Sequence, residues 1–250
     1  MAEEKKKEAE KKEEKVEKKK EEKKKVEKVV EEIEEEEAKE EKKKEKEEKG
    51  LLVPLEEYMR SGLYLGTKVI SAHMRKYVYR RRADGLATIN TKKIDDMLRI
   101  AASFLSLYSP KEIIVVCKRQ SGWNGAIQFG KATGIRVFAK KYSAGIITNV
   151  NLQDFFEPSL MFAADPWLDK IPLLDAIKLN IPIIALCDTN NLATYADLIV
   201  PCNNKSGKSL GLIFWILARE YMKKRNIKAP LPAIEEFVGE ELQDTNLRKI

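Results

Sequence analysis

From residue 112 onward the chain alternates two patterns. Short runs that are apolar at every position, EIIVVC (112–117), IRVFA (135–139), SLMFAAD (159–165), PIIALCD (182–188) and DLIVP (197–201), are separated by stretches with apolar residues three and four apart. Strands without a polar face are buried on both sides, as happens when helices cover both faces of a parallel sheet. Helices are predicted over GAIQFGKATG (125–134), around PLLDAIKLN (172–180) and from Ser206 to about Arg225. Upstream, TKKIDDMLRIAASFLSLY (91–108) places Ile94, Met97, Leu98, Ala101, Ala102 and Leu105 on one helical face, while Asp95 and Asp96 are expected on a solvated one. PLEEYMRSG (54–62) has the acidic start and glycine end of a short helix, and GLATI (85–89) and GIIT (145–148) are further strand candidates. The alternation predicts an α/β fold with a doubly wound, mostly parallel sheet of about five strands.

Composition divides the chain. Residues 1–50 hold 19 Lys and 21 Glu and cannot bury a core of their own. Two states are open to this extension: a long solvated helix with a stripe of Val26, Val29, Val30 and Ile33, or a disordered polyampholyte. The expected domains are therefore the extension (1–50), an α/β domain (51–227) and a C-terminal extension (228–250). The last carries Ile234, Phe237, Val238 and Leu242, to dock elsewhere or to pack back on the domain. Charge divides the chain again: residues 51–150 hold 17 Lys plus Arg against 6 Asp plus Glu, whereas 151–250 hold 11 against 13. A net of +11 beside −2 points to one face turned toward a polyanion. Cys117, Cys187 and Cys202 lie far apart and His73 is the single histidine, so no zinc set of Cys and His is expected. The charged N-terminus and the shortness of the longest apolar run, LIFWILA (212–218), predict a cytoplasmic protein.

One motif raises an enzymatic alternative. CNNKSGKS (202–209) ends in Gly-Lys-Ser between a strand and a helix, where an ATPase or GTPase would hold its phosphates with Lys208 and Ser209. The glycine that opens such a loop is absent, because Cys202 stands there, and Asp165 and Asp188 end strands that precede the loop. A plain helix N-terminus capped by Ser206 or an Asn explains the segment better. No dinucleotide motif follows the first apolar strand, and no nucleophile, base and oxyanion set assembles. The expectation is a non-enzyme without cofactor.

HMRKYVYRRRADG (73–85) differs in kind. Arg75, Lys76, Arg80, Arg81 and Arg82 surround Tyr77 and Tyr79, joining cations for phosphates to rings that stack on bases. In an extended segment Tyr77 and Tyr79 would share one side and Arg80 and Arg82 the other. His73 opens this stretch, Lys68 precedes it, Lys92 and Lys93 follow it, and Lys118, Arg119, Lys140 and Lys141 sit at strand ends, where a doubly wound sheet presents its binding edge. All fifteen are candidate RNA-binding residues.

YLGTKVISAHMRKYVYRRRADGLATINTKKIDDML, ITNVNLQDFFEPSLMFAADP, NIPIIALCDTNN, ADLIVPCNNKS and LAREYMKKR occur in that order. Together they resemble the second protein of the small ribosomal subunit in its archaeal and eukaryotic form, over about residues 51–227. The resemblance implies a flavodoxin-like α/β/α domain without catalysis, bound to small-subunit ribosomal RNA and to neighbouring ribosomal proteins, and needed for subunit assembly and translation. Asp188, Thr189, Asn203, Asn204, Lys205 and Ser206 match it as fold-shaping turns as much as RNA contacts. The chain departs from it at Ala144-Gly145 and at Gly207-Lys208. A non-ribosomal RNA-binding adaptor, recruiting proteins through its extensions, is the remaining alternative.

Overall fold

The computed structural model describes residues 50–239. The Lys/Glu-rich stretch before Gly50, with its valine stripe, and the end of the chain with Leu242 lie outside the described residues. Every element below belongs to the unit that starts at Leu52.

Two short strands, β1 (Val78–Arg81) and β2 (Ala87–Ile89), form an antiparallel ribbon. Five more, β3 (Ile113–Cys117), β4 (Arg136–Ala139), β5 (Leu160–Ala163), β6 (Ile183–Cys187) and β7 (Leu198–Pro201), make a parallel sheet in the order β4-β3-β5-β6-β7. That is the flavodoxin-like order, with its switch point between β3 and β5. The apolar runs are strands for the expected reason: every residue of β3, β5 and β6 is buried.

The helices are α1 (Leu55–Arg60), α2 (Thr91–Ser106), α3 (Trp123–Thr133), α4 (Lys170–Lys178), α5 (Gly207–Arg225) and α6 (Ile234–Val238). Right-handed crossovers run one way from β3 to β4 and the other way from β5 to β7, which puts α3 and α4 on opposite faces of the sheet. α2 and α3 both pack on α5, and α6 covers α3 and α5 with Phe237 buried between them, so Ile234–Val238 packs back on the domain. On the opposite face α4 is the one helix among the described residues, because the crossovers 141–159 and 188–197 contain none. This thin cover leaves Trp167, Ile171, Leu174 and Ile177 exposed.

Two expectations need correction. GIIT is a turn, not a strand: Gly145 adopts φ +88°, and its carbonyl accepts from the N–H of both Thr148 and Asn149. Ile146 and Ile147 are nevertheless buried, which explains the apolar run. Asp95 is not on a solvated face either. Its carboxylate is buried and accepts from the Leu52 N–H (2.8 Å), the Tyr58 hydroxyl (2.8 Å) and Arg99 Nε (2.7 Å). Burial, reinforced by this carboxylate, pushes the Tyr58 phenol far above its ordinary pKa. Satisfied by three donors, Asp95 ties the N-terminal segment to α2 at little desolvation cost.

Candidate nucleic-acid interface

The ribbon is held by a segment laid across the ends of β6 and β7. Asn203 donates its N–H to Leu63 O (3.0 Å) and its side-chain amide to Gly62 O (3.1 Å). Thr189 accepts the Thr67 N–H on its hydroxyl and the Ser71 N–H on its carbonyl, both at 2.8 Å, and the Ser71 hydroxyl donates to Asn191 O (2.8 Å). Gly66 is required here, since a Cβ would lie 2.4 Å from the Thr189 methyl. The same segment pairs with β2 through Gly66 N–H to Ala87 O and Ala87 N–H to Thr67 O. Residues more than a hundred positions apart thus fix the root of the ribbon.

A short 3-10 turn, Arg75–Tyr77, leads into β1, and Gly85 at φ +79° closes the reversal, with Arg82 N–H donating to Leu86 O (2.8 Å). All of β2 is buried, whereas Tyr79, Arg80 and Arg81 of β1 are exposed. The ribbon therefore rests on the domain by one strand and offers the other to solvent. Arg75, Lys76 and Arg82 are exposed as well, as are Lys68 and His73 on the segment before it. Lys92 and Lys93 extend the patch on the first turn of α2, and the Lys93 ammonium donates to Lys76 O. Two lysines at the positive end of a helix dipole oppose folding by a few tenths of a kcal/mol each, but they concentrate positive potential where a phosphate would bind.

Tyr77 departs from expectation. It is 7% exposed and belongs to the 3-10 turn, whereas Tyr79 is 70% exposed. A bulge between Val78 and Arg80 also breaks the alternation, so the two tyrosines do not share a strand face. Tyr79 is the ring available to a base, with the Arg80 guanidinium 6.0 Å from its centre. Tyr77 is part of the core.

At the C-terminal edge of the sheet the four candidate cations separate. Arg119 is engaged inside the protein: its guanidinium pairs with Asp165, a buried carboxylate that also accepts from Asn191 Nδ2 (2.8 Å) and the Trp167 N–H (3.0 Å). Asp169, buried beside it, accepts the N–H groups of Lys118 (2.9 Å) and Asp165 (3.1 Å), and burial pushes its pKa up to about 6. The switch-point crevice, where this fold type holds ligands, is filled by these side chains. Asp188 is likewise buried, with its pKa raised by that burial, and its partner is Lys205 at 3.4 Å. Lys118, Lys140 and Lys141 remain exposed. Trp123, just ahead of the helix expected over 125–134 and not among the candidate residues, joins two of them: its indole N–H donates to Lys118 O (3.1 Å), and the Lys140 ammonium lies 5.2 Å from its ring centre.

Gly-Lys-Ser is a helix start. Gly207 is the first residue of α5 and sits against Ser121, whose carbonyl would lie 3.2 Å from a Cβ at position 207. The Ser209 hydroxyl is buried and donates to Asn203 O (2.6 Å), which leaves it turned away from any phosphate. Ser206 makes no side-chain cap; Asn203 Oδ1 instead accepts the Lys205 N–H just before the helix. Among the described residues no helix is long and apolar enough to cross a membrane, and no group of three or more His, Cys, Asp or Glu is placed to hold a metal ion.

A family model described as ribosomal protein S2 matches residues 152–223. The chain is similar to the small ribosomal subunit protein uS2 of Methanococcus maripaludis, 42% identical over 180 residues, 72% of this chain and 82% of the relative. The uS2 protein of Nanoarchaeum equitans is 42% identical over 176 residues, 70% of this chain and 88% of the relative. That of Ignicoccus hospitalis is 39% identical over 181 residues, 72% and 85% respectively.

Proposed function

The chain belongs to the ribosomal protein S2 family, and on that premise we propose that it is a structural constituent of the small ribosomal subunit, gripping ribosomal RNA through its cationic ribbon. The observation that carries the mechanism is the exposure of Arg75, Lys76, Arg80, Arg81 and Arg82 on a ribbon whose root is hydrogen-bonded to the sheet. Guanidinium and ammonium groups neutralise backbone phosphates and release counterions, while Tyr79 packs against sugar or base. A rigid root means that little conformational entropy is lost when the cations meet their phosphates.

The scaffold serves position rather than chemistry. The switch-point crevice is occupied by Asp165, Arg119 and Asn191, and Ser209 is bound to Asn203, so neither supplies a nucleotide site. Residues 51–227 act as the RNA-binding domain in the cytoplasm. Neighbouring ribosomal proteins are met through the N-terminal extension and the thinly covered face around α4, where Trp167, Ile171 and Ile177 are exposed.

Sedimentation of the tagged protein through a sucrose gradient tests this reading. The protein is expected in the small-subunit peak, and a version without residues 1–50 should stay there. Migration outside that peak, or binding of the isolated protein to small-subunit RNA that ignores salt, would refute it; neutralised phosphates require a log–log salt slope of roughly 0.7 to 0.9 per contact.

A further inference from the structure

Beyond the ribbon, one cavity at the C-terminal end of the sheet has the makings of a separate anion site. It is a crevice of about 120 Å³ between the ends of β3 and β4 and the start of α4, bordered by Lys118, Lys140, Lys141 and Asp169. Its size suits a tetrahedral oxyanion. Among the described residues none of the three lysines has an ion-pair partner. Asp169 brings one negative charge that Lys118 feels, but both of its oxygens are turned to backbone N–H groups, those of Lys118 and Asp165, and it makes no direct contact with a lysine ammonium. Three lysines against one carboxylate leave an excess of positive charge at the crevice, which a bound anion relieves.

The backbone bringing them there is unusual. Lys140 has φ +74°, a left-handed conformation natural to glycine and costly for a long side chain. Its N–H donates to Cys117 O (3.2 Å) and the Lys141 N–H to Ala139 O (3.0 Å), so the chain folds sharply back over the end of β3. Glycine would make this turn without strain; what lysine adds is charge. Trp123 steadies the group from the side, with one edge on the Lys118 carbonyl and its ring face under Lys140. A strained residue that lines a cavity points to function rather than folding.

We propose that this crevice seats a single phosphate of the RNA backbone, a second point of attachment independent of the ribbon. The proposal rests on the RNA-binding reading above, and its ligand chemistry, a tetrahedral oxyanion, is shared with free phosphate and sulfate. One phosphate for three lysines makes the test sharp. In the full chain, Lys140→Gly should leave the melting temperature unchanged or raised, weaken small-subunit RNA binding several-fold, and lower the salt slope by about 0.7 to 0.9. The triple change Lys118→Ala, Lys140→Gly, Lys141→Ala should lower the slope by no more than that one contact. Unchanged affinity and slope would overturn the proposal, and so would a fall of two or more contacts, which would mean that each lysine meets its own phosphate.

Sulfate supplies the second arm. It should shift the backbone amide resonances of Lys118, Lys140 and Lys141 in the wild-type protein, not in the Lys140→Gly variant, and RNA should compete it away. Sulfate binding that RNA leaves untouched would overturn the assignment to RNA. If the wild-type protein shows no salt-dependent RNA binding at all, the RNA-binding reading has failed, and the sulfate shifts then report the anion site on their own.

Discussion

The ribbon and the strand-end edge carry the same kinds of cation, yet they use them differently. On the ribbon Arg75, Arg80 and Arg81 are exposed, and the ion pair of Arg82 with Asp84 at 3.6 Å is exposed on both sides and weak. At the edge Arg119 and Lys205 face Asp165 and Asp188, carboxylates about 1% exposed that must be neutralised where they stand. On the proposed function, a charge counts toward RNA only after the fold's own buried carboxylates are served. Net charge along the chain therefore overstates the interface wherever strands end in aspartate.

Charge reversal gives the widest separation of the two regions. Changing Arg75, Arg80, Arg81 and Arg82 together to Glu should reduce affinity for small-subunit RNA by at least about 10³-fold in a filter-binding titration and leave the melting curve nearly unchanged. Retained affinity with an intact fold would end the ribbon mechanism. Arg119→Ala should do the opposite: it strands the Asp165 charge, so urea denaturation is expected to show a loss of about 3 to 5 kcal/mol, with the RNA affinity of the folded fraction preserved. A stable Arg119→Ala protein with weakened RNA binding would return Arg119 to the interface.

The two tyrosines repeat the contrast within the ribbon. Tyr77→Ala removes a core side chain and should cost about 3 to 5 kcal/mol of stability. Tyr79→Ala should be silent in denaturation but weaken RNA binding by about 1 to 3 kcal/mol. Equal effects on stability would contradict their different burial.

Acid titration probes the edge alone. Asp169 is held at about 6 against an ordinary value of 3.8, so the folded protein binds the extra proton between those pH values. Its contribution to stability is thus full below about pH 4 and lost as pH rises through about 6, roughly 3 kcal/mol in all. Burial raises Asp188 in the same direction. Asp169→Asn should flatten that part of the stability profile, and an unaltered slope would show that the proton resides elsewhere.

Much of the scaffold was legible because burial on both faces leaves a continuous apolar run, as in IIVVC and IIALC. The site was legible only as a region. What separates Tyr77 from Tyr79 is a bulge and a 3-10 turn, which strand periodicity does not encode. What withdraws Arg119 is a partner 46 residues away, and what buries Asp95 is a hydroxyl and an amide 37 and 43 residues away. Such pairings exist only once the chain has folded. Trp123 was missed because an aromatic at a helix start has no local mark of function; its link to Lys118 and Lys140 was beyond sequence pattern.

The hydrogen bonds that join Thr189, Asn191 and Asn203 to the segment before the ribbon carry a consequence for biogenesis. A polypeptide made from its N-terminus exposes the arginines long before the residues that orient them have been synthesised. Until the last two strands of the sheet are laid down, the nascent chain has charge without aim, and it can cling to any polyanion. On the proposed function, discrimination would arrive late in translation, when completion of the sheet supplies the partners that hold the root of the ribbon.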